Sequence, residues 1–213
     1  AGGSGADSIT GGDAADAITS GAGNDTIVGG AAADQLDAGS GDNAISDAGQ
    51  GADVIYHDDF VSTLAVTVTG TDEVTLIADK SGATATVEDG VAGVVNASPS
   101  DAAVVLTKAG AGNATLTGGD GSDSITGGDG NDKLTAGKLN DTIVGGTGND
   151  SITAGAGADT INAGAGTNSI TDAGVGADAI THNAAASTVA IAVTGTDAVA
   201  LTASQAGATA TAG

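Results

Sequence analysis

The 213-residue chain has no cysteine, methionine or tryptophan, a single proline, and no arginine. Tyr56 and Phe60 are its only aromatic residues. Without cysteine there are no disulfides, no thiolate-held zinc and no thiol nucleophile. Its four cations, Lys80, Lys108, Lys133 and Lys138, form no patch and face 27 acidic residues, for a net charge of −23. Nucleic acid needs Lys and Arg opposite its phosphates, so it is excluded as a partner. No apolar run approaches the ~18 residues of a membrane-spanning helix, and none is expected. The first residues carry no basic segment, so no signal peptide is expected. So few large apolar side chains argue against an ordinary globular core. Low hydrophobicity with high net charge would suggest disorder, yet mean hydropathy is +0.15 and the apolar residues are strictly ordered along the chain.

That order has two scales. Asp7, Asp16, Asp25 and Asp34 step by nine residues, Asn43 continues the step, and Asp53 follows ten further on. A second series runs Asp123, Asp132, Asp141, Asp150, Asp159, Asn168, and then Asp178 ten further on. Two residues after each stands a large aliphatic, from Ile9, Ile18 and Ile27 to Ile161, Ile170 and Ile180. Before each lies a Gly-rich segment, as in Gly127-Gly128-Asp129-Gly130-Asn131-Asp132. The longer period is 125 residues: 1–88 align without a gap on 126–213, with 46 identities. Since the second unit stops part-way, a longer parent chain or array is expected. The sequence therefore divides into a first block at 1–55, a spacer at 56–112, a second block at 113–180, and a truncated copy of the spacer at 181–213.

Nine residues are too few for a helix and its return. They suit a six-residue turn and a three-residue strand, with glycines supplying the positive φ of tight turns. One large aliphatic per unit then points inward. Successive turns fall on alternate sides, so same-side acids are 18 residues apart: Asp7 over Asp25, Asp132 over Asp150. In the spacer, Leu64, Val66 and Val68 alternate as in a half-buried strand. Val74–Leu76, Ala83–Val87, Val91–Val95 and Val104–Thr107 read as further short strands. No helical period occurs.

Stacked carboxylates repel. Two charges at ~4 Å in an effective dielectric near 20 cost about 4 kcal/mol. A cation between them removes that cost. Ca²⁺ suits the donors, since it takes ~6–8 oxygens at about 2.3–2.6 Å from carboxylates and carbonyls. Mg²⁺ wants a tighter octahedron, and zinc wants nitrogen or sulfur. The candidate metal ligands are therefore Asp7, Asp16, Asp25, Asp34, Asn43, Asp53, Asp123, Asp132, Asp141, Asp150, Asp159, Asn168 and Asp178. Counting same-side pairs predicts roughly seven to nine Ca²⁺ ions, whose charge nearly cancels that of the chain.

The nonapeptide G-G-x-G-x-D-x-U-x resembles the repeat of RTX calcium-binding proteins, over about 7–55 and 118–180. That resemblance implies an all-β fold, a parallel β-roll (β-solenoid) with Ca²⁺ between same-side turns. It also implies type I secretion and folding outside the cell. The chain departs from the motif at Ala14, Ala32 and Leu139, which replace the second turn glycine, and at Asn43 and Asn168, which replace the acid.

No nucleophile elbow or phosphate loop occurs, and no catalytic role is expected. His57-Asp58-Asp59 reads as a capping or surface group, because its counterpart His182-Asn183-Ala184 lacks both acids. Asp72 and Asp197 read as plain turn residues. Three Asn-Asp-Ser/Thr glycosylation patterns, beginning at Asn24, Asn140 and Asn149, read as coincidence within the metal turns. The tandem unit and the Ala/Thr/Gly/Ser composition point to a self-assembling extracellular protein, an S-layer lattice or filament whose partner is itself, with cell-surface polysaccharide as a further candidate. The stalk of a large adhesin remains an alternative. The export module of a secreted enzyme or toxin fits less well, since it has one such block rather than two.

Overall fold

A computed structural model of the chain describes residues 1–47, 51–57, 63–80, 82–172, 176–182, 188–193, 199–203 and 208–212. These form 22 short strands, numbered in chain order from β1 (Ser8–Gly12) and β2 (Ala17–Thr19) to β22 (Ala208–Ala212), and no helix. Odd-numbered strands build one 11-stranded sheet and even-numbered strands the other, each strand beside the one two places before it. All pairings are parallel. The chain is thus a coil that crosses from sheet to sheet and back: the parallel β-roll that the nonapeptide implied.

Coil length follows the sequence period. In the acid-bearing blocks Ile9 pairs with Ile27 and Ile143 with Ile161, a step of 18. Leu36 pairs with Ile55 across the one inserted residue. Along the inner strands buried residues alternate with outward-facing ones, as in Ala17–Thr19 and Lys133–Lys138. Ile27, Leu36, Ile45, Ile55, Leu134 and Ile143 are essentially inaccessible and stack along the axis between the sheets. At ~1.5–3 kcal/mol for each fully buried side chain, this single file replaces the wide core of a globular domain.

The spacer does not interrupt the coil. Leu64–Val68 and Ala83–Val87 join the first sheet and Glu73–Ala78 joins the second, in steps of 19 or 21 residues. The strand expected at Val91–Val95 is instead Val94–Asn96. Gly90 turns there with φ 77°, and the Val91 N–H bonds back to the Glu88 carbonyl, so the chain is still rounding a corner at Val91.

The 125-residue repeat exchanges the sheets. Strand Leu64–Val68 lies in the first sheet, while its counterpart 125 residues later falls within Thr188–Val193, in the second. Corresponding strands of the two copies lie 13 apart in chain order, an odd number, so corresponding residues lie on opposite sides of the coil.

Most left-handed corners are glycine, but Ala32 (φ 72°) and Leu139 (φ 62°) adopt the same conformation. Ala14, the third departure from the motif, does not. One coil after Leu139 the equivalent corner is Gly157, with φ 141°. A left-handed non-glycine residue costs about 1–2 kcal/mol, and Leu139 is 58% exposed, so little packing offsets it. Leu139→Gly should therefore stabilise the folded protein by ~0.5–1 kcal/mol after the extra freedom of glycine in the unfolded chain. A melting temperature about 1–4 °C higher is expected; a lower one would show that the left-handed corner carries no strain.

Candidate metal centre

Each nonapeptide delivers one acid or amide to the corner where a turn enters a strand. Asp7, Asp25, Asn43, Asp123, Asp141, Asp159 and Asp178 stand at or just before strands of the first sheet. Asp16, Asp34, Asp53, Asp132, Asp150 and Asn168 do so on the second. All except Asp7 and Asp16 are buried, at 0–3% exposure. These acids thus line the inner corners of the coil, where water does not screen them.

One carboxylate oxygen has a fixed role. Asp25 Oδ1 accepts from the Asp7 N–H (2.9 Å), Asp34 Oδ1 from Asp16 (2.9 Å), Asp141 Oδ1 from Asp123 (2.7 Å), and Asp150 Oδ1 from Asp132 (3.0 Å). Asn43 and Asn168 keep this bond to Asp25 and Asp150, and each also donates its amide to a carbonyl, of Ala38 and Ala163 respectively. The acid in each turn therefore ties its own coil to the coil before. The residue preceding it ties forward: Asn24, Asn131 and Asn149 each accept from a backbone N–H one coil later. Asn140 does the same toward Ala158. Asn-Asp is thus a two-way clamp, which accounts for the glycosylation-like patterns.

The other oxygen is left over. Oδ2 of Asp25, Asp34, Asp132, Asp141 and Asp150 is buried and takes no hydrogen bond from the described residues. In the first coils of each block it has a donor: Gly3 N–H for Asp7 and Gly119 N–H for Asp123. At five turns whose first residue is glycine, this oxygen and a carbonyl of the next coil both border the space a side chain would fill. A methyl group on Gly145 would lie 2.6 Å from Asp150 Oδ2 and 2.5 Å from the Ala163 carbonyl oxygen. Gly2, Gly11, Gly118 and Gly127 show the same convergence, with Asp7, Asp16, Asp123 and Asp132. A carboxylate and a carbonyl oxygen so close together suit ligands of one Ca²⁺ ion. Among the described residues no three acidic or histidine side chains meet at one point. Backbone carbonyls would supply the rest of such an ion's coordination.

Burial leaves its mark on protonation. Asp141 is pushed up to about 7, mainly by loss of solvent and further by the charges of Asp123 and Asp159. Asp150 is raised to about 6, mainly by burial and further by Asp132. Asp123 and Asp132 are also raised, again chiefly by burial. Backbone N–H bonds oppose the rise in all four and do not cancel it. These four acids hold negative charge only against resistance, as expected of ligands held ready for a cation.

The acid rows have gaps. In the first, register passes from Asn43 through Leu64, Ala83 and Val104, all buried, before Asp123 resumes it. In the second, Ala114 precedes Asp132 and donates its N–H to Asp132 Oδ1. His57 is not a surface group: it is 1% exposed and His182 is fully buried, because each is the inward residue two places after Ile55 or Ile180. Asp58, Asp59 and Asp197 lie outside the described residues. Asp72 ties its turn to the preceding coil by accepting from Gly51 N–H. Sequence reasoning also missed Lys108, which is buried at 2% exposure. The alternation Val104, Leu106, Lys108 was the signal that could have found it.

The family model of the RTX calcium-binding nonapeptide repeat matches the chain in four copies, at residues 1–27, 10–45, 109–143 and 135–170. No curated protein matches it.

Two predictions follow from the raised acids. Their folded-state values lie above the unfolded 3.8. The stability they contribute is therefore complete below that value and lost as pH rises through 6 to 7. Acid should thus partly replace metal: in calcium-free buffer the β signal in circular dichroism should be stronger at pH 4.5 than at pH 8, and a flat profile would count against charge as the obstacle. Asp141→Asn should lower the calcium bound per chain, by equilibrium dialysis, while making the metal-free protein less sensitive to pH. Unchanged calcium binding would remove Asp141 from the ligand set.

Proposed function

Because the chain belongs to the RTX calcium-binding nonapeptide repeat family, we propose that it is the calcium-dependent structural module of a secreted, self-assembling bacterial surface protein, an S-layer lattice or extracellular filament. The observation that carries this reading is the double row of buried carboxylates, each with one oxygen bonded to the neighbouring coil and, in five described turns, another buried and unsatisfied. Such a coil closes when cations neutralise the rows and opens when they leave. With Kd values of ~10⁻⁴–10⁻³ M, as in extracellular modules, about 1 mM Ca²⁺ stabilises each site by roughly 0.4–1.4 kcal/mol. Over several sites that rivals the whole stability of a domain. Cytosolic calcium is too dilute for this, so the chain stays open for export and folds outside. The candidate ligands are the thirteen acids and amides of the two rows.

The unbroken passage of both sheets through the spacer supports an extended, repeating body rather than an appendage to an enzyme. It favours a second reading equally well, the stalk of an adhesin that holds a distant binding tip. Assembly separates the two. On titrating calcium into metal-free protein we expect β structure by circular dichroism, followed by ordered sheets or fibres in negative-stain micrographs. Monodisperse rods at high concentration would favour the stalk. The same β spectrum in calcium and in chelator would defeat calcium-driven folding under either reading.

A further inference from the structure

Lys108 ends strand β11 (Val104–Lys108) in the spacer, beside Val87 of the neighbouring strand. Its side chain is 2% exposed, which makes it the largest side chain in the fully buried set. A buried ammonium needs partners. Lys108 Nζ donates to the Glu88 carbonyl at 2.8 Å and the Ala109 carbonyl at 2.5 Å, which belong to turns of successive coils. Its charge also reaches Asp132 one coil further on, where it opposes the rise caused by burial. Asp132 in turn reaches back to this coil, accepting from Ala114 N–H at 2.6 Å.

The turn that follows Lys108 is a nonapeptide without its acid. Ala109-Gly110-Ala111-Gly112-Asn113-Ala114-Thr115-Leu116-Thr117 keeps the second and third glycines, the Asn and the inward aliphatic of Gly127–Thr135, but has Ala109 in place of Gly127 and Ala114 where that repeat has Asp132. Asn113 still makes the forward clamp, to Asn131 N–H. A divalent ion here would lack its carboxylate, and two carbonyls of adjacent turns are already held by an ammonium. Metal does not fit this coil.

We propose that Lys108 is a built-in cation that takes the place of a metal ion where the spacer meets the second block. Lys108 with Ala114 carries the same net charge as a carboxylate with its bound Ca²⁺, and it faces the first carboxylate of the second block's row. The second block then begins on a coil that carries this charge without calcium, a fixed base on which the metal-dependent turns can stack. The part assigned to the neighbouring turns rests on the calcium reading given above.

The test uses the full chain as wild type, as Lys108→Met, which keeps the length of the stem and removes the charge, as Ala114→Asp, and as the double variant. Lys108→Met should bind as many calcium ions as wild type by equilibrium dialysis. It should need a several-fold higher calcium concentration to fold and should melt at a lower temperature. The double variant should bind one more ion than wild type and recover the folding midpoint. Ala114→Asp alone, with the ammonium still in place, should gain no ion. The proposal is overturned if Lys108→Met folds at the wild-type midpoint and melts unchanged, or if Ala114→Asp alone gains an ion. Should Lys108→Met fail to fold, recovery of the double variant in calcium decides, because a carboxylate at 114 with bound metal restores charge and not packing. A wild type that binds no calcium defeats the calcium reading alone. The melting temperature of Lys108→Met then still decides the part of Lys108.

Discussion

The structure depends on a conflict between covalent repeat and electrostatics. A coil with a fixed step puts every residue directly above its own copy. That is favourable for Ile27 over Ile45, since apolar side chains stack without limit. It is unfavourable for Asp141 between Asp123 and Asp159, where each coil adds a like charge to a buried row. The backbone N–H groups that bond Oδ1 of the buried acids satisfy half of each carboxylate and ease only part of its charge problem. Everything distinctive about the chain is a response to the other half: the glycines that let carbonyls approach, the asparagines that close the first row of the first block and the second row of the second, and a lysine at the start of a row.

The Asn and Asp pair shows how far side-chain chemistry can be divided between adjacent positions. Asn131 reaches forward and stays at the surface, where a neutral amide has little cost. Asp132 reaches back to Ala114 and inward, where a charge has a large one. Were an amide to hold the inward place, as Asn43 does, the tie between coils would survive and the demand for a cation would vanish. Mechanical continuity and metal dependence are therefore separable properties of the same corner.

Much of this was legible in the residues. A strict step of nine with one aliphatic two places after each acid leaves little besides a two-sided coil, and both sheets and both rows of acids follow. The spacer was legible as strands but not as part of the same coil, because its steps of 19 and 21 residues break the count and Leu64, Ala83 and Val104 stand where acids would be sought. His57 was misjudged and Lys108 overlooked for one reason. Polar residue types suggest the surface, whereas position within an alternating strand decides which way a side chain points, and in both cases position prevailed over type. Ala32 and Leu139 were recognisable as departures from the glycine pattern. That two of the three departures would nonetheless take the left-handed corner is set by the coils above and below, which no local stretch of sequence records.

The odd number of strands in the 125-residue period has a geometric consequence. Advancing by one unit amounts to a half-turn about the long axis, a twofold screw written into the covalent chain. A body built this way has no front or back: whatever pattern of threonine, serine and alanine one unit turns to the left, the next turns to the right. Neighbours approaching from either flank would meet the same texture, displaced along the axis by a single unit.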